Sequence, residues 1–162
     1  MYATLKHFIF RYYGLFALFV LTGICVWFTR STKSKDEITL LLTVVGGVAS
    51  GIYFIQKQKL EELLLFKQLF TEFNARYDDL NDAVNNIVMN RNESLTLDEK
   101  NTLNDYFNLC GEEFLFFKKG YIYPDVWTAW HNGMSDFLKK DSRVKKYWLE
   151  EKETGSYYGL DI

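Results

Sequence analysis

A chain of 162 residues with 19 basic and 21 acidic side chains carries a formal charge of −2, which offers long nucleic acid no general attraction. Two cysteines, Cys25 and Cys110, exclude a disulfide framework and agree with a reducing compartment. The 48% hydrophobic content is not spread evenly but gathers near residue 1, so the chain does not read as one uniformly soluble domain.

Residues 12–28, "YYGLFALFVLTGICVWF", contain no charge, nor do residues 38–55. At 1.5 Å per residue each run covers roughly 26 Å, close to the ~30 Å hydrocarbon core of a bilayer. Nine residues separate them, so a transmembrane hairpin over residues 1–56 is expected. The first run ends in Trp27, Phe28, Thr29 and Arg30, an interfacial anchor and not a small-residue cleavage site, so both spans are expected in the mature protein. Arg11 lies where its stem can stay in the apolar layer while its head reaches phosphate. Lys6, Arg11, Lys57, Lys59 and Lys67 flank the pair, against Arg30, Lys33 and Lys35 in the connecting loop. Five cations against three place both termini in the cytoplasm of a two-pass protein. Gly47 and Gly51 form GxxxG, and Gly46 with Ser50 repeats the spacing, a face suited to helix packing against the first span or a neighbouring subunit.

The second span runs into charge at Gln56 without a helix breaker. Leu63, Phe66, Phe70, Phe73, Tyr77, Leu80, Val84 and Ile87 then alternate by three and four, the seam of a left-handed supercoil or the core face of one helix in a bundle. A stalk helix over residues 57–88 follows, and a helical ligand-binding domain over residues 89–162. "MNRNESL" at residues 89–95 breaks the period, and Thr96 to Glu99 is a capping-box signature. Leu103, Tyr106, Phe107, Cys110, Phe114 and Phe117 define the next helix, stopped at Gly120. Pro124 opens another, with Trp127, Trp130, Met134 and Phe137 on one face. A last helix, 142–152, turns Val144 and Trp148 inward, and the tail "TGSYYGLDI" is an arm, a small strand or disordered. The fold class is therefore all-α.

Enzyme signatures are scarce: two histidines, no phosphate-cradling glycine loop and no paired metal-ligand doublets. No catalytic residue, metal or cofactor is assigned, and the chain is not expected to be an enzyme. A hydrolase reading survives only as His131 with Asp125 or Asp136. Charge is sorted instead: residues 72–113 hold three basic and ten acidic side chains, residues 118–146 seven and three. The second stretch is an anion-site candidate, its Lys118, Lys119, Lys139, Lys140, Arg143 and Lys146 available for phosphates and His131 and Asn132 for bases. Asn90, Arg91 and Asn92 add a cation and two amides in a loop that an oligomer would gather around its axis. The same lysines could also hold anionic lipid headgroups.

Two spans, a stalk-like helix and a helical domain bearing "LNDYFNLCGEEFLFFKKGYIYPDVWTAWHNGM" resemble the cyclic-tetra-adenylate-binding two-pass membrane effectors of type III CRISPR antiviral systems. The resemblance is one of layout and carries no contact motif over. It implies a homotetramer in the inner membrane of a bacterium, a cyclic oligoadenylate second messenger as ligand, and an antiviral effect exerted on the lipid bilayer. The alternative is a membrane scaffold or sensor that binds anionic lipid or a protein partner.

Overall fold

The computed structural model describes residues 2–31, 34–90 and 92–162, with side chains from Phe8 onward. Lys33, Arg91 and the side chain of Lys6, all used above, lie outside the described residues. Five helices and no strand occur among them: α1 (Tyr2–Arg30), α2 (Lys35–Met89), α3 (Leu97–Lys118), α4 (Pro124–Lys140) and α5 (Ser142–Lys152). The chain divides into two compact units, Met1–Leu64 and Leu65–Ile162, and the division falls within α2.

In the first unit, α1 and the start of α2 are long and apolar enough to cross a membrane. Their large side chains are open to the surroundings: Phe16 is 70% exposed, Phe19 77% and Leu42 67%. Contiguous apolar surface of this kind is not stable against water and needs an apolar neighbour. The less exposed positions recur at helical spacing, Phe10, Tyr13, Ala17, Val20, Ile24 and Phe28 on α1 and Leu41, Val44, Val48, Ile52 and Ile55 on α2. Lys59 donates from Nζ to the Phe10 carbonyl at 2.5 Å and lies 4.7 Å from the Tyr13 ring centre. Gly46, Gly47, Ser50 and Gly51 are exposed, and nothing comes within 4 Å of a Cβ built on these glycines. Ser34 caps α2 reciprocally: its backbone N–H donates to Glu37 Oε2 at 2.9 Å, and the Glu37 N–H donates to Ser34 Oγ at 3.3 Å.

The second unit is organised around α3. Leu103, Phe107, Leu109 and Cys110 are fully buried on it, Val144 and Trp148 on α5, and Phe73 on α2. The core thus takes in Leu69, Phe73, Val84 and Ile87 of α2, with Phe66 and Leu80 packed against it. The seam of α2 serves only in part as the core face of a bundle helix: Phe73, Val84 and Ile87 enter the core, whereas Leu63, Phe70 and Tyr77, 52%, 39% and 41% exposed, lie outside it. Phe73 meets Phe116 and Trp130 edge-on at 5.7 and 6.0 Å, and Phe107 meets Trp148 at 4.9 Å, geometry that suits the aromatic quadrupole.

Local signals explain the helix ends. Thr96 and Glu99 exchange hydrogen bonds at 3.2 and 2.8 Å, closing the expected box. Gly120, at φ 81°, follows the last turn of α3, where its own N–H and that of Tyr121 donate to Phe117 and Phe116 carbonyls. That is a Schellman stop, and glycine meets its left-handed φ without a Cβ penalty. Asp141 caps α5 through the Arg143 N–H. The tail is neither strand nor arm: it turns at Gly155, Tyr158 and Gly159, all with positive φ, and buries Tyr157 and Leu160. A Cβ on Gly111 would meet Tyr157 at 3.4 Å, so a small residue on α3 lets the tail approach.

Candidate functional site

The basic stretch folds as the end of α3, all of α4 and the start of α5, and its candidate residues fall in three places. Asn90, Asn92, Arg143 and Lys146 come together where α2 ends and α5 begins. Lys118 and His131 hold the C-terminal tail. Lys119, Asn132, Lys139 and Lys140 stand exposed on the surface. Arg91 lies outside the described residues.

At the first place the guanidinium of Arg143 is nearly spent. It donates to the carbonyls of Ile87 at 3.0 Å, Asn90 at 2.8 Å and Asn92 at 2.8 Å, and to the Asp141 carboxylate at 2.5 Å. The last carbonyls of a helix have no partner within it and carry its negative dipole end, so a cation there satisfies acceptors and charge together. Arg143 hydrogen-bonded to Asp141 holds that carboxyl below the ordinary aspartate value. Arg143 is therefore a clamp joining α2 to α5. Beside it a 200 Å³ cleft is lined by Lys100, Lys146, Tyr147, Glu93 and Glu150, so both signs of charge face it. Lys146 lies 4.0 Å from Glu150, an exposed pair of little energetic weight.

At the second place Lys118 donates to the Tyr158 carbonyl at 3.0 Å. His131 Nε2 is 2.9 Å from the Asp161 carbonyl, an acceptor, so this nitrogen carries the proton. The imidazole also lies 5.7 Å from the Trp127 ring, and Asp161 pairs with Lys152. Asp125 and Asp136 make no hydrogen bond to His131 among the described residues. Asp136 instead accepts from Lys139 at 2.8 Å, which lowers its pKa. Trp127 is buried, stacked on Phe117 at 5.0 Å, and Trp130 stacks on Phe70 at 5.8 Å. No group of three metal-ligating side chains occurs among the described residues.

One residue escaped the sequence reading. Glu112 and Glu113 are adjacent on α3 and diverge: Glu112 takes a bidentate bond from Arg76 at 2.5 and 3.2 Å, whereas Glu113 turns inward and is only 6% exposed. Desolvation pushes the Glu113 carboxyl up to about 8, opposed by the charge of Arg76. The signal was its place three residues after Cys110 and four before Phe117, the spacing of the buried face.

No family model, curated protein or solved structure matches this chain.

Proposed function

We propose that this chain is a two-pass membrane effector whose second unit is a cytoplasmic receptor for an anionic second messenger. Cyclic tetra-adenylate is the ligand that the resemblance in layout implies. The observation carrying the membrane half is the exposure of Phe16, Phe19 and Leu42 along two helices of spanning length. Lys59 bound to the Phe10 carbonyl supports a hairpin, because it sets the later part of α2 beside the earlier part of α1. A hairpin puts both termini on one side, taken as the cytoplasmic one from the five cations that flank the pair against three in the loop, and a tetramer would let a four-fold ligand meet four equal sets of contacts.

The anion-binding half rests on Lys119, Lys139, Lys140 and Lys146, which are exposed, and on Asn132, also exposed, on α4. Arg143 contributes by fixing the frame and not by contact. Ligand binding acts only through unequal affinity for the resting and active arrangements. The full chain in nanodiscs should bind cyclic tetra-adenylate with an affinity that falls as salt rises, and Lys140→Glu with Lys146→Glu should weaken it about tenfold or more. Absence of saturable binding at micromolar concentrations refutes the receptor reading. A scaffold on anionic lipid is the second reading, favoured by the spread of these lysines over the surface; retention on anionic vesicles without nucleotide competition would establish it.

A further inference from the structure

A second cavity, lined by none of the basic side chains, opens among α2, α3 and α4 of the second unit. It measures 220 Å³ and is lined by Asn74, Tyr77, Tyr106, Cys110, Glu113 and Trp130 among others. That is below the ~300–1,000 Å³ of sites for drug-sized molecules, so an occupant must be small. Glu113, only 6% exposed, makes no hydrogen bond to protein among the described residues, and its carboxyl borders the cavity, so water or an occupant of that space is the partner available to it. Arg76, the cation nearest in charge effect, is engaged in two bonds to Glu112 and does not line the cavity. Three aromatic rings, Tyr77, Tyr106 and Trp130, surround the space, and ring faces attract cations.

We infer that this cavity is a binding site for a small organic ammonium ion, held by Glu113 and the rings of Tyr77, Tyr106 and Trp130. The cation supplies the carboxylate with its missing partner, and its apolar body takes the place of water against the rings. Binding requires the ionised carboxylate, so it displaces the proton that burial keeps on Glu113. The groups able to influence that titration are Arg76 and Tyr77 on α2 and Tyr106, Cys110 and Glu112 on α3. Among the described residues, α4 offers the cavity no titratable side chain.

Choline and its uncharged isostere 3,3-dimethyl-1-butanol provide the test, titrated into the full chain in nanodiscs and read by the fluorescence of Trp130 and by calorimetry. Choline keeps its charge at every pH, so its affinity should rise about fivefold from pH 7 to 8 and less than twofold from pH 8 to 9, following ionisation near 8. The isostere should bind at least tenfold more weakly. Glu113→Gln should erase both the pH dependence and the preference for charge, whereas Glu112→Gln, which removes a neighbouring negative charge, should keep the preference for charge and move the rise in affinity to lower pH. Equal binding of the two probes, or no saturable signal from choline at millimolar concentration, overturns the inference and leaves a water-filled cavity. The pH profile of the wild-type chain decides the matter even if Glu113→Gln fails to fold.

Discussion

Replacing Arg143 by methionine keeps the length of the side chain and removes its donors. The carbonyls of Ile87, Asn90 and Asn92 and the Asp141 carboxylate then lose one partner each. Asn90 and Asn92 are exposed, so water takes over those bonds at small cost. Asp141 is different: its side chain is 9% exposed and that of Arg143 17%, so the carboxylate stays largely desolvated when its cation is gone. Breaking a buried pair from one side costs about 3–5 kcal/mol, and the partial exposure here places the estimate near the lower end, about 3 kcal/mol. For a unit of this size that amounts to a fall in melting temperature of roughly 12–24 °C. The assay is thermal unfolding of the full chain in nanodiscs, followed by tryptophan emission, with hydrogen exchange at the last turn of α2 and the first of α5. Arg143→Lys should recover less than half of the loss, since an ammonium cannot reach three carbonyls and a carboxylate at once. The effect should also depend on pH. Asp141 has a depressed folded pKa, so its stabilisation is present above the ordinary value near ~3.9 and fades as pH falls through the folded one. Wild type and variant should therefore converge in acid. A shift below about 3 °C at pH 7 with unchanged exchange would refute the clamp.

Glu113 gives the opposite pH signature. Its folded pKa, about 8, lies above the ordinary glutamate value, so native chains hold a proton that unfolded ones release, and stability falls as pH rises from about 4.5 to 8. Glu113→Gln should flatten that slope in melting curves, and parallel slopes for the two proteins would contradict it. Phe73→Ala, at a side chain 2% exposed, should cost about 3–5 kcal/mol in denaturant titration, and Leu63→Ala, 52% exposed, below about 1. Equal costs would deny that α2 lends its seam to the core. Gly120→Ala should cost about 1–2 kcal/mol from φ alone, because nothing lies within 4 Å of the added Cβ; a neutral result would mean the stop tolerates a side chain.

Much of the second unit was legible because its signals are local. Thr96 with Glu99, Gly120, Pro124 and the pair Val144 and Trp148 each depend on neighbours within a turn or two, and each appears as the spacing implies. The reciprocal cap of Ser34 and Glu37 is equally local and was overlooked beside the apolar run that follows it. What could not be read depends on distant contacts. Arg143 looks like a free cation until the chain brings Asn92, 51 positions away, against it. Tail residues Tyr157 and Leu160 look solvated until Gly111 makes room and Lys118, Lys152 and His131 tie the backbone down. Periodicity alone could not say whether the seam of α2 meets another copy or its own domain, since both present the same stripe. The buried carboxyl of Glu113 was hidden by composition, which counts it as surface charge.

The central claim is that a soluble anion acts through this chain upon a membrane, and release of a trapped dye from vesicles tests both halves together. The full chain, reconstituted at low density in liposomes, should hold the dye until cyclic tetra-adenylate is added outside. It should then release the dye in a dose-dependent manner, with weaker release at higher salt. Vesicles that contain the inserted protein and bind the nucleotide yet stay sealed, or that leak equally without it, would contradict the account.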